Sequence, residues 1–287
     1  MSSASKERFQ SPSSILTYLQ CPRKYFYRYV KGLEAKPSIH LVLGRAVHSA
    51  ISFFHKADSY AENPRIFLQT LHDGTAEHLN QKWQENRTEL EALNLTREEE
   101  EDFYGQALAM LRNFCRGHGK KVAAFQHSRG LSLREAFERL RPKTETDLVS
   151  EHYGVRGRID AVHDIDGETT IIDYKTSNKS RIDTEEVLQL AIYSLLFKET
   201  YGRMPNKAGI HFLRHGEKTL STSPELLAFA KRTCQRIRKL TCHDEINKYP
   251  RKITGLCKYR TGQCDYYEIC MPPKKELFSA QPAEIEE

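Results

Sequence analysis

Two aspartates and a lysine stand out because of where they fall in the chain. Residues 153–165, YGVRGRIDAVHDI, and 168–176, ETTIIDYKT, alternate apolar and polar side chains as half-buried strands do, and Asp166-Gly167 between them is a strong two-residue hairpin signal. A hairpin closed on that turn sets Asp160 opposite Asp173 and Arg158 opposite Lys175. All four then share one face, with Ile159, Ala161, Ile172 and Tyr174 on the other. Directly opposed residues have Cβ atoms roughly 4.5–5.5 Å apart, and like charges there repel. A divalent cation removes that repulsion. Mg2+ or Mn2+ suits such oxygen donors and can activate a water for phosphodiester attack, with Lys175 supplying positive charge beside the phosphate. The bland reading of the same residues is an amphipathic hairpin whose aspartates pair with Arg158 and Lys175, a weakly stabilising cluster.

The elements around the hairpin bring further candidates. Upstream, LVLGRAVHSAISFFHKA carries apolar residues at helical spacing through Leu43, Ala46, Val47 and Ala50, with His48 beside the stripe. Downstream, a helix over about 183–200 sets Gln189 and Tyr193 four residues apart on one face, where a packed pair is the alternative to a substrate contact. Ser13 is placed to cap a helix through ILTYLQCPRKYFYRYV, which Pro22 kinks or splits. Residues 64–140 read as mainly helical. Thr96 is a plausible N-cap for the acidic run that follows, whose glutamates sit at the positive end of the helix dipole. A short strand around AGIHFL and a basic helix through LAFAKRTCQRIRKL complete the pattern.

Together these segments resemble the RecB-like branch of the PD-(D/E)XK nucleases, which includes CRISPR-associated exonucleases and the helicase-nuclease subunits of recombination. GRIDAV and IIDYKT are similar to the GxxD and DxK motifs, GRAVH to the helical motif with a metal-binding histidine, and QLAIY to the QxxxY helix, all in the family's order. The resemblance implies metal ligation by His48, Asp160, Asp173 and the backbone carbonyl of Tyr174. It makes Asp160, Asp173 and Lys175 catalytic, and Gln189 and Tyr193 substrate-binding with Arg158 beside them. It also implies an acidic residue ahead of the GxxD strand, for which Glu135, Glu145 and Glu151 are candidates.

Seven cysteines without a secretion signal argue against a disulfide framework. Cys21 and the trio Cys257, Cys264 and Cys270 resemble the set that holds a 4Fe-4S cluster in many of these nucleases, one cysteine before the core and three after it. CKYRTGQCDYYEIC departs from the usual spacing, with six residues between its first two cysteines where relatives often have two, so Zn2+ is an alternative ion for the four thiolates. Basic residues interleaved with aromatics in CPRKYFYRY are either a core helix or part of a single-strand channel, where bases stack on rings.

Composition sets outer bounds. In 287 residues Lys and Arg outnumber Asp and Glu by 44 to 38, which permits a polyanionic partner without requiring one. No apolar run reaches the roughly 18–20 residues that span a bilayer, and MSSASKERFQ lacks a signal-peptide core, so a cytoplasmic protein without a membrane partner is expected. The expected fold is an α/β restriction-endonuclease-like core, a mixed central sheet flanked by helices. It follows a flexible leader (1–12), spans 13–271 with a helical insertion at about 62–140 and a cysteine-bound cap, and precedes a mobile tail (272–287). The expected activity is a metal-dependent DNA exonuclease on single strands or ends, in repair, recombination or CRISPR adaptation, with a helicase or CRISPR-adaptation protein as a possible partner. No GxxxxGK[ST] motif occurs in the chain, so any motor is a separate protein. The rival from another class is a DNA-binding or complex-assembly module in which catalysis is dispensable.

Overall fold

The computed structural model describes residues 8–58, 63–259 and 262–271. The chain, expected as one domain over 13–271, forms two compact units. One joins the residues up to Leu16 with Pro37–His243, and the other joins Thr17–Lys36 with the residues from Asp244 onward. The tail expected over 272–287 lies outside the described residues, as does the start of the leader. The described end of that leader is not loose: Gln10 is 2 % exposed and bridges to Val155 through Gln10 N–H to the Gly154 carbonyl at 2.8 Å and Arg156 N–H to the Gln10 carbonyl at 2.8 Å.

Helix α1 runs Pro12–Gln20, so it opens one residue ahead of Ser13. Ser11 does the capping, its hydroxyl accepting from Ser14 N–H while the Ser14 hydroxyl accepts from Ser11 N–H. Cys21 is extended and Pro22 opens the short α2 (Pro22–Tyr25), followed by a π-helical turn over Phe26–Val30. Within this second unit Tyr25 and Phe26 are buried and pack against Tyr249, with ring centroids 6.0 and 5.1 Å apart. The aromatics of CPRKYFYRY are therefore largely core, and Arg28 is the exposed member of that segment. The short strands β6 (Lys258–Tyr259) and β7 (Gly262–Gln263) in this unit pair antiparallel.

In the larger unit, α3 (Ile39–Lys56) is followed by the helical stretch α4 (Pro64–Glu85), α5 (Arg87–Ala92), α6 (Arg97–Arg129) and α7 (Leu133–Leu140). Thr96 caps α6 with a reciprocal bond from Glu99, the acidic first turn meeting the positive end of the dipole as the sequence implies. Then come β1 (Lys143–Ser150), β2 (Val155–Ile165), β3 (Glu168–Lys175), α8 (Thr184–Tyr201), β4 (Lys207–Phe212), β5 (Gly216–Ser221) and α9 (Pro224–Leu240). The sheet has order β1-β2-β3-β4-β5, antiparallel except for the parallel β3–β4 pair joined through α8, which makes it mixed.

Asp166 and Gly167 have φ of 54° and 83°, the left-handed conformations of a type I′ turn, and the β2–β3 register follows: Ala161 faces Ile172 and Val162 faces Ile171. Ala161, Ile172 and Tyr174 join the core built by α3, α4, α6 and α7. Helix α8 is buried almost all round, from Leu188 through Phe197, and packs on the sheet and on α9. Gly157 is what lets α8 come so near: a Cβ there would stand 3.0 Å from Tyr193 Cε1 and 3.1 Å from Leu196 Cδ1.

Candidate nuclease site

Successive residues of β3 project to opposite faces of the sheet, so Asp173 points toward α8 while Tyr174 points into the helical core. Asp173 is 4 % exposed. Its Oδ1 accepts from Gln189 Nε2 at 2.8 Å, and Gln189 Nε2 also donates to the Tyr193 hydroxyl at 3.1 Å. Its Oδ2 lies 2.8 Å from Lys175 Nζ but receives no well-directed hydrogen bond. Asp160 Oδ2 accepts the Tyr174 backbone N–H at 2.8 Å, and its Oδ1 stands 3.3 Å from His48 Nδ1. His48, Asp160, Asp173, Lys175, Gln189 and Tyr193 are thereby linked into one group by direct contacts and by the strand itself.

The electrostatics match that geometry. Burial pushes the Asp173 carboxyl up, the Lys175 ammonium pulls it back, and the Asp160 charge pushes it up again. Burial alone would lower His48, yet the hydrogen bond to Asp160 and the fields of both aspartates hold it above the ordinary histidine value. The phenol of Tyr193 is held well above its usual range by burial and by the Asp173 charge. The Asp173 carboxylate thus faces the Lys175 ammonium and the Asp160 carboxylate the His48 imidazole. Asp173 Oδ2 is buried, with the Lys175 ammonium 2.8 Å away. Two carboxylates supply hard oxygen donors fitting Mg2+ or Mn2+, with the His48 imidazole beside them as a softer third donor. Among the described residues, no three His, Cys, Asp or Glu side chains already stand at ligating distance.

Arg158 does not meet Lys175. It binds Asp147 on β1 with both arms of its guanidinium, Nε to Oδ1 at 2.8 Å and Nη2 to Oδ2 at 2.9 Å. It nevertheless lines, with Arg45, His48 and Asp160, a cavity of about 220 Å3. That cavity also separates the three acidic candidates. Glu145 lines it, on a left-handed residue (φ 51°) in β1, its carboxylate accepting from Ser52 Oγ at 3.0 Å and Lys56 Nζ at 3.2 Å. Glu135 is spent on capping α7 through Ser132, and Glu151 lies in the turn after β1.

In the second unit Cys21, Cys257, Cys264 and Cys270 line a single cavity of about 250 Å3. Cys264 N–H donates to the Cys257 carbonyl at 3.0 Å. Burial pushes the Cys270 thiol up, the Arg251 charge pulls it down, and Cys21 and Cys264 push it up. Cys115 and Cys234 belong to the larger unit, where burial, partly offset by a backbone hydrogen bond, pushes each thiol up to about 12.

A helix-flanked mixed sheet with two aspartates and a lysine on its central hairpin is a restriction-endonuclease-like fold. The chain belongs to the PD-(D/E)XK nuclease superfamily, whose sequence profile matches residues 10–271 and whose members generally use Mg2+ or Mn2+. It is similar to the Gene 69 protein of Mycobacterium phage L5, 25% identical over 236 residues that cover 75% of this chain and 79% of that protein. The Gene 69 protein of Mycobacterium phage D29 is 40% identical over 72 residues, 24% of this chain and 25% of that protein. A solved structure of a candidate exonuclease from Eubacterium rectale matches with a TM-score of 0.48 at 14% identity, covering 89% of this chain and 87% of that one. Among the described residues no helix is long and apolar enough to cross a membrane.

Proposed function

We propose that the chain is a metal-dependent deoxyribonuclease that acts as an exonuclease on single strands or DNA ends. The observation that carries this reading is the buried Asp173 carboxylate, held between Lys175 and Gln189 and linked along the hairpin to the Asp160–His48 pair. Asp160, Asp173, His48 and the Tyr174 carbonyl would hold Mg2+ or Mn2+, which when bound supplies Lewis-acid activation of a water and of the phosphate. Lys175 offsets charge that builds on the phosphate as water adds to phosphorus and the bond to the leaving sugar oxygen breaks. Gln189 and Tyr193 act through Asp173, fixing its rotamer, because the Gln189 amide donates to both. Arg158 sits at the rim as a phosphate contact once its exchange with Asp147 is open to competition.

The cysteine-lined cavity is the proposed seat of a structural 4Fe-4S cluster, with Zn2+ as the alternative ion. Brown colour with iron and sulfide in the purified protein supports the first, and colourless protein with zinc that is lost on Cys257→Ser supports the second. Partner-dependent action beside a helicase or CRISPR-adaptation protein is the variant of this reading in which the isolated chain cleaves poorly.

The test is degradation of end-labelled single-stranded and duplex DNA with Mn2+, Mg2+ or EDTA, comparing the wild type with Lys175→Ala and Asp173→Ala. Metal-dependent cleavage lost in both variants supports the enzyme and its site. A folded, cluster-loaded wild type that cleaves nothing with any metal overturns the stand-alone enzyme and favours a binding module.

A further inference from the structure

On the side of β3 away from Asp173, a second cavity of about 380 Å3 opens between the sheet and the helical layer. Four imidazoles from four different elements line it: His55 of α3, His118 of α6, His163 of β2 and His211 of β4. The rings of His55 and His118 have centroids 5.2 Å apart and those of His55 and His163 6.4 Å apart. His55 spends Nε2 on the Tyr174 hydroxyl at 3.1 Å, leaving Nδ1 buried without a hydrogen-bond partner. Nε2 of His118 is buried and unpartnered in the same way. Both side chains are more than nine-tenths buried, at 1 % and 7 % exposure. Buried imidazole nitrogens in native proteins ordinarily have a partner, so two orphans on one cavity point to something that fills it.

We propose that this cavity binds a divalent transition-metal ion of the Zn2+ class through at least three of its four imidazoles, as a site separate from the one at Asp160 and Asp173. Imidazole is a preferred donor for such ions and must be neutral to bind them. Burial supplies that condition, holding His118 down to about 3 and His163 to about 4. Lys121, the cation that would oppose a metal, is neutralised by Glu217, its ammonium 2.6 Å from a carboxylate that lines the same cavity. The Arg214 guanidinium is turned to Gln106 and to the Thr176 carbonyl.

As with His48, Asp160 and Asp173, no three of these donors stand at ligating distance among the described residues, so binding requires the rings to turn inward. Two rings sharing a tetrahedral ion at about 2.0–2.1 Å have centroids roughly 5 Å apart, which the His55–His118 separation of 5.2 Å already meets, whereas the His55–His163 separation of 6.4 Å must close. An ion there would tie α3 and α6 to β2 and β4, a structural role. This inference does not rest on the nuclease reading.

The test uses the full chain carrying Asp160→Asn and Asp173→Asn, so that the hairpin site takes no ion, stripped with chelator and titrated with Co2+. Whatever the four cysteines take up is marked by a thiolate-to-cobalt charge-transfer band, and one further equivalent is expected whose visible bands arrive without it. It persists when Cys257→Ser and Cys264→Ser are added and is lost when His118→Gln and His163→Gln are added. Uptake unchanged by the histidine substitutions, or accompanied throughout by the thiolate band, overturns the proposal, and no uptake means the cavity holds water alone. Should the histidine variants fail to fold, 113Cd resonances of the chain with intact histidines decide. A resonance in the nitrogen-ligand range is expected, and signals confined to the sulfur range refute the site.

Discussion

Gly157 offers a perturbation whose size follows from the contacts around it. Adding one methyl group, as Gly157→Ala, places a carbon 3.0 Å from Tyr193 Cε1, 3.1 Å from Leu196 Cδ1 and 3.4 Å from Tyr193 Cδ1. Optimal carbon–carbon separations are about 3.5–4.0 Å, so two contacts are too short by roughly half an ångström. Neither neighbour has solvent to retreat into: Leu196 is 0 % exposed and Tyr193 7 %. Overpacking of this kind costs about 1–3 kcal/mol, while replacing a strand glycine returns about 0.5–1 kcal/mol. The net is a loss of up to about 2.5 kcal/mol, centred near 1 kcal/mol, or up to roughly 10 °C in Tm at about 2–4 °C per kcal/mol for a unit of this size. The displaced ring is also the one bonded through Gln189 to Asp173, so on the proposed nuclease function cleavage falls about 10- to 100-fold in kcat with little change in KM. Thermal melts and single-strand degradation kinetics read both numbers. Gly105→Ala is the control, exposed in α6 with nothing within 4 Å of the added carbon, and should be neutral or stabilising. A Gly157→Ala variant that melts like the wild type and cleaves at its rate refutes the argument that α8 is wedged against β2.

Asp183 caps α8, and its carboxyl is held well below the usual carboxylate range by Glu186, then by Lys179, so its stabilising contribution is present above the unfolded carboxylate value near pH 4 and fades as pH falls further. Asp183→Ala should therefore cost about 1 kcal/mol at pH 7 in urea unfolding, the gap from wild type shrinking below pH 4. Mg2+ or Mn2+ at about 100 times its Kd should stabilise the wild type by roughly 2.7 kcal/mol and leave the melting of Asp173→Asn unchanged. Native-state iodoacetamide labelling at pH 8 should spare Cys115 and Cys234, whose thiols burial pushes up to about 12, and reach all seven cysteines only after denaturation.

The hairpin was legible because its chemistry is local. Asp166-Gly167 fixes the turn, the turn fixes the register, and the register decides which side chains share a face. His48 and the Gln189–Tyr193 pair were reachable only through motif order, since nothing in a helical pattern says which sheet residue it will meet. Strand β1 escaped notice because in KTETDLVS only Leu148 and Ser150 are buried, and β5 because the exposed edge strand GEKTLS has no apolar alternation to read. Arg158 was set against Lys175 by the hairpin alone, and the unread strand supplied the partner it takes, Asp147. The four-histidine cavity left no signal at all, its members lying on α3, α6, β2 and β4 with no spacing in common.

Tyr174 sits between the two motif residues Asp173 and Lys175, yet its phenol answers to His55, seven positions after His48 on the same helix. The middle letter of the DxK signature is thus written by the far side of the sheet, not by the chemistry on either hand. Over evolutionary time positions 55 and 174 should drift as a couple, loss of the imidazole releasing the hydroxyl it holds, while on the proposed function their neighbours at 48, 173 and 175 stay put. Two inheritances, one paired and permissive, the other fixed, run through three consecutive residues of one strand.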